Sequence, residues 1–227
     1  IMVGMASSDF RQIIIIRYGG FLWFNAEVIA NRAAKSKYLW NEPRPVLVRS
    51  IGMDGGIGPV ASGSHVSLFT RMPGLRVFAP MTPNEYKYGY EEFMKYNDPM
   101  IFYENRYAFQ IDYEMKDVVR ENADITIFAV SITSLSAIEA ISELEKEGIL
   151  CNLIHVKWLK PFLISEHMHS AIQDSRYGGL FLDGDFEDSH LKCMAYDLMC
   201  ATGRMVRVLG LEERAAGFSP ATDNLPP

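Results

Sequence analysis

From Gln12 to Tyr18 the chain reads QIIIIRY, a continuous apolar run of the kind a strand buried on both faces requires. WFNAEVIANRAAKSKYL (23–39) follows with good helix formers and no Gly or Pro, and predicts a crossover helix. The alternation repeats: PVLVRS (45–50) and LRVFAP (75–80) predict strands, PNEYKYGYEEFMKY (83–96) a helix opened by Pro83, and MIFYE (100–104) another strand. NRYAFQIDYEMKDVVREN (105–122) keeps neither period and mixes its charges, as a linker does. Beyond it DITIFAVS (124–131) predicts a strand. SLSAIEAISELEKEG (134–148) predicts an amphipathic helix with Leu135, Ile138, Ile141 and Leu144 on one stripe, closed by Gly148. LCNLIHVKWL (150–159), GLFLDG (179–184) and MVRVLGL (205–211) continue as strands, with helical patterns near 164–174 and 187–202. Strands alternating with helices build βαβ units. The pattern therefore predicts an α/β protein of two successive domains with mainly parallel sheets flanked by helices, residues 1–106 and 123–227, joined by a linker at 107–122.

Composition narrows the class. At 227 residues the chain has room for two modest domains, given roughly 100–200 residues per domain. With 48% hydrophobic and 22% charged residues it is globular, not disordered or low-complexity. A net charge of −6 argues against a face for the phosphate backbone of nucleic acid. Three cysteines form no CxxC pair, so no disulfide framework is expected and a reducing compartment fits, the cytoplasm or an organelle matrix. Cys193 and Cys200, seven apart on one predicted helix, are expected to pack as small apolar groups. No apolar run approaches the ~20 residues of a membrane span. The opening IMVGMASS has neither a leader pattern nor an initiator Met, and the natural N-terminus is expected upstream.

In open parallel sheets ligands collect beyond the carboxyl ends of strands. Tyr18-Gly19-Gly20-Phe21 follows the first predicted strand, and IGMDGGIGPVASGSH (51–65) follows the second. The latter carries Gly52, Gly55, Gly56 and Gly58, so its backbone can approach a ligand closely. It matches neither GxGxxG nor GxxxxGK[ST], and on residues alone an active-site loop and a structural turn remain equally open. His167 and His169 are two apart on a predicted helix and face apart, which makes them poor joint metal ligands. DGDFED (183–188) lacks the sixth-position Gly of a calcium loop.

GMASSDFRQIIIIRYGGF (4–21), AEVIANRAAKSKYL (26–39), PVLVRS (45–50), GPVASGSHVSLFTRMPGLRVFAP (58–80) and NDPMIFYEN (97–105) form an ordered set. Together they resemble the β subunit of the thiamine diphosphate-dependent first component of 2-oxo acid dehydrogenase complexes, of pyruvate and branched-chain type, within the transketolase-like superfamily. DITIFAVS, LEKEGI and VKWLKPF (156–162) extend the likeness through the second half. The resemblance implies a pyrimidine-binding-like domain followed by a transketolase C-terminal-like domain. It also implies thiamine diphosphate shared with an α subunit that holds the diphosphate and Mg²⁺, an assembly of two α and two β subunits, and a lipoyl acyltransferase as a further partner.

The same resemblance places Phe21 where an aromatic stacks on the coenzyme's pyrimidine, with Tyr18 as a second candidate, and makes the segment of Gly58, Pro59, Ala61 and Ser62 an active-site loop. It expects a His after Gly-Pro-x, where this chain has Ala61. His65 lies four residues on and could serve the same cavity if one helical turn separates the two positions; the plain alternative is a surface or half-buried His beside Ser62 and Ser64. Ser62 and Ser64 are also candidate caps for a short helix VSLFTRM. Two other functions stay open: the C-terminal half of a split transketolase-like enzyme, and a non-catalytic or regulatory subunit that keeps the fold without the imidazole.

Overall fold

The computed structural model describes residues 1–8, 10–53, 58, 60–63 and 65–213. In chain order its strands are β1 (Gln12–Ile16), β2 (Val46–Gly52), β3 (Arg76–Phe78), β4 (Met100–Asn105), β5 (Ile125–Val130), β6 (Cys151–Val156), β7 (Trp158–Lys160), β8 (Gly179–Phe186) and β9 (Val206–Leu211). Its α-helices are α1 (Met2–Met5), α2 (Ala34–Trp40), α3 (Ser67–Thr70), α4 (Pro83–Lys95), α5 (Thr133–Lys146), α6 (Glu166–Gln173) and α7 (His190–Thr202). The described residues form two compact units, Ile1–Glu114 with Trp158–Pro161, and Met115–Lys157 with 162–213. Among the described residues no helix is long and apolar enough to cross a membrane.

The first unit's sheet runs β1-β2-β4-β3-β7, parallel except for β7, which pairs antiparallel with β3. α4 covers one face, packing Phe93 against Leu47, Phe78, Met100 and Phe102. It approaches closely because position 89 is Gly: a Cβ there would meet the Phe102 ring at 2.7 Å. Pro83 opens α4 as predicted, and the Glu85 carboxylate accepts from the backbone N–H groups of Met81 (2.8 Å) and Thr82 (3.3 Å). The run 12–18 is not buried on both faces. β1 is an edge strand, and Ile13 and Ile15 remain 49% and 57% exposed.

The helix expected at 23–39 is also altered. Gly19–Asn25 is 3₁₀, and a π-helical turn at Val28–Ala33 precedes α2. Propensity favours a helix here but does not choose among hydrogen-bond periods.

The second unit's sheet is wholly parallel, in the order β6-β5-β8-β9. α5 packs on it through Ala137 and Ile141, over Ile127, Ala129, Cys151 and Leu153. The buried stripe of α5 is Ser134, Ala137 and Ile141, whereas Ile138 is 42% exposed, so the face predicted from the largest side chains is rotated. Gly148 closes the helix at φ +82°. Residues 150–159 are not one strand: β6 stops at Val156, and β7 belongs to the first unit's sheet. Cys193 and Cys200 are exposed on α7, contrary to their expected packing.

Candidate functional site

β1 ends at Ile16, and the chain passes through Arg17 and Tyr18 into the 3₁₀ segment Gly19–Asn25. Gly19 and Gly20 are buried. A Cβ on Gly20 would lie 1.7 Å from the Val60 carbonyl oxygen, so only glycine lets the loop from Val60 to Gly63 cross the turn here. The Gly63 N–H donates to the Met53 carbonyl at 2.6 Å, tying that loop to the end of β2. The Ser62 N–H donates to the Gly58 carbonyl at 2.9 Å, closing the loop on itself. Ser62 is buried and Ala61 half-buried. Two short segments are thus fixed against each other beyond the carboxyl ends of neighbouring parallel strands, where such sheets hold ligands.

Aromatic side chains dominate this end of the unit. Phe21 is 41% exposed; its ring stacks on Phe24 at 6.1 Å between centroids and meets Tyr18, tilted, at 6.1 Å. The Arg17 guanidinium lies over the Tyr18 ring at 5.4 Å. Trp23 and Phe24 are also exposed, and the Trp23 ring lies 5.8 Å from the imidazole of His65. Exposed apolar rings grouped on one turn mark a contact surface, and a ring supported from the side offers a face to a planar heterocycle.

The predicted residues separate as follows. Tyr18 and Phe21 share one aromatic group, His65 joins it through Trp23, and Gly58, Ala61 and Ser62 lie on the loop that packs on Gly20. Pro59, Ser64, Gly55 and Gly56 lie outside the described residues, as does the tail FSPATDNLPP. Ala61 lies in a turn, and Ser62 and Gly63 in a bend. The short helix narrows to α3, with Val66 at its cap position. Trp23 and Phe24 were missed because the run 23–39 reads as continuous helix; the glycine doublet directly after a strand was the available signal.

Elsewhere, the DGDFED segment is not a calcium loop. Asp183 and Asp185 lie on β8, and the buried Asp183 carboxylate meets His190 Nε2 at 3.1 Å. His167 pairs with Asp117 at 3.3 Å. Among the described residues no group of three or more His, Cys, Asp or Glu side chains is placed to hold a metal ion.

Residues 1–110 match the family model of the transketolase pyrimidine binding domain, and residues 116–176 match that of the transketolase C-terminal domain. Similar proteins include the acetoin:2,6-dichlorophenolindophenol oxidoreductase subunit beta of Cupriavidus necator, 28% identical over 189 residues, covering 77% of this chain and 56% of that one. The 2-oxoisovalerate dehydrogenase subunit beta of Bacillus subtilis is 27% identical, over 70% of this chain and 53% of its own. The pyruvate dehydrogenase E1 component subunit beta of the same organism is 24% identical, over 77% and 58%. The chain therefore spans a little over half the length of these relatives. A solved split gene transketolase, an inactive beta4 tetramer, shares the fold with a TM-score of 0.75 over 97% of this chain and 72% of that one, at 18% identity.

Proposed function

Starting from a chain that belongs to the transketolase-like proteins by its pyrimidine-binding and C-terminal domains, we propose that it is the β subunit of a thiamine diphosphate-dependent 2-oxo acid dehydrogenase. An α subunit supplies the diphosphate-binding half and Mg²⁺. One observation carries the proposal: the half-open ring of Phe21, held by Tyr18 and Phe24 at the carboxyl end of β1, suits a flat heterocycle that approaches from outside this chain. Thiamine diphosphate, when bound, supplies a thiazolium carbon that attacks 2-oxo acids and serves as an electron sink. Phe21 stacks on the pyrimidine. Gly20 lets the loop from Val60 to Gly63 pack directly on the turn that carries Phe21. His65, set by the Trp23 ring, carries the proton-transfer role that the methyl of Ala61 cannot fill. Lipoyl acyltransferase docking and the assembly of two α and two β subunits belong to the same proposal.

The test is reconstitution with an α subunit and ferricyanide-coupled decarboxylation of pyruvate and branched-chain 2-oxo acids. We expect the chain alone to be silent and the complex to turn over. His65→Ala should lower kcat by ~10²–10⁴, the ordinary span of acid–base catalysis. Phe21→Ala should raise the thiamine diphosphate requirement at least ~10-fold with little change in folding, since the ring is already exposed. Turnover by the chain alone, or full activity in both variants, overturns the proposal. The fold shared with the split transketolase supports a second reading, ketol transfer; activity on a ketose donor with no decarboxylation selects it.

A further inference from the structure

On the face of the first unit's sheet that α4 covers, Arg49 of β2 lies level with Phe102 of β4, and Ile51 level with Glu104. Arg49 and Glu104 therefore sit at the carboxyl end of that face. Their side chains form a bidentate pair, Nε to Oε1 and Nη2 to Oε2, both at 2.7 Å, and Glu104 is wholly buried. The Tyr86 hydroxyl donates to Glu104 Oε2 at 3.1 Å. Beside this group, between the first turns of α4 and the 3₁₀ turn Arg106–Gln110, opens a cavity of about 380 Å³. Its walls include Arg49, Met81, Tyr86, Tyr90, Phe109 and Ile111.

We infer that this cavity binds a small neutral aromatic molecule carrying one carbonyl or hydroxyl group. The walls set the shape. The rings of Tyr86 and Phe109 meet each other, tilted, at 6.4 Å, and the Arg49 guanidinium lies 5.8 Å and 6.0 Å from them, which gives the cavity an aromatic wall against which one further ring can pack. The volume is near the low end of the ~300–1,000 Å³ of small-molecule sites, enough for a single-ring ligand.

The polar groups set the chemistry. Glu104 occupies the Nε and Nη2 edge of Arg49, so Nη1 makes no hydrogen bond among the described residues, and neither does the Tyr90 hydroxyl. Two donor groups thus border an otherwise apolar space. Charge selects against the alternatives: Glu104 already neutralises Arg49, so a bound carboxylate finds no net positive charge to offset its lost hydration, and a cation would face the guanidinium. Burial and the neighbouring carboxylate hold the Tyr86 phenol well above its ordinary range, so it stays an uncharged donor. None of these residues belongs to the Tyr18–Phe24 turn or to the 58–65 loop, so the inference stands apart from the proposed function.

Titration of the full chain with acetophenone, benzamide, toluene and benzoate, followed by calorimetry or ligand-observed NMR, tests it. Acetophenone and benzamide should each bind saturably at one site, and benzoate at least ~10-fold more weakly than either. Tyr90→Phe, which keeps the ring and its packing, should weaken both carbonyl compounds ~3–10-fold while leaving toluene unchanged, the worth of one hydrogen bond. Ile111→Trp should fill the space and abolish binding. Absence of saturable binding by either carbonyl compound, benzoate binding as tightly as benzamide, equal effects of Tyr90→Phe on toluene and acetophenone, or binding that survives Ile111→Trp each overturns the inference.

Discussion

Tyr86 donates to a wholly buried carboxylate, and its burial, followed by the charge and hydrogen bond of Glu104, raises its ionisation above the ordinary 10.0 of a tyrosine. The folded state therefore keeps a proton that the unfolded chain gives up above pH 10.0. The stabilisation is complete below that value and declines as pH rises beyond it. Tyr86→Phe should cost about 1 kcal/mol at pH 8, the net worth of the hydrogen bond, and the gap between variant and parent should narrow by pH 11. Urea midpoints at the two pH values measure both effects; a gap constant across them contradicts the assignment. At Gly20 the constraint is steric. Gly20→Ala forces a methyl onto the Val60 carbonyl oxygen, so the loop must move. We expect a loss of about 1–3 kcal/mol by overpacking, read as a lowered Tm, together with weakened thiamine diphosphate binding in the reconstituted complex.

Two elements are held by contacts that local pattern does not encode. The Arg11 guanidinium donates to the carbonyls of Phe93 and Tyr96, both at 2.7 Å, and to Asn97 Oδ1 at 2.6 Å, closing the C-terminal end of α4 from 82 residues away. Arg11→Ala should cost about 1–3 kcal/mol, because those carbonyls lose a charged donor. β7 is fixed by stacking: Arg76 lies 4.5 Å from both the Tyr96 and Trp158 rings and pairs with Glu92 at 2.9 Å, while Trp158 meets Phe78 at 4.7 Å. Trp158→Ala should lower stability by roughly 2–4 kcal/mol, seen as an earlier thermal transition. Elements whose burial follows from their own period were legible: α4 with Pro83, β2, β4 and β5 lie close to where alternation and caps put them. Those decided by neighbours were not. QIIIIRY reads as a doubly covered strand because apolar content does not say whether a neighbour exists, and α5 buries Ser134 and Ala137 in place of Leu135 and Ile138 because close approach to a sheet favours small side chains.

For the molecule as a whole, two α/β units in sequence followed from the alternation of periods, yet the geometry of the candidate site was legible only where it is sequence-local. Tyr18 and Phe21 are three apart on one turn, whereas the meetings of Gly20 with Val60 and of Trp23 with His65 depend on how β1 and β2 align. The three residues of β7 are a similar case, since they complete a sheet whose other strands all lie before position 106. A ribosome making this polypeptide must therefore add more than fifty residues after β4 before the margin of β3 can be sealed, and until then the nascent sheet presents a bare strand with Phe78 lacking its indole lid. Residues 1–114 expressed alone should consequently self-associate, and a synthetic peptide spanning 157–162 should restore a monomer in light scattering.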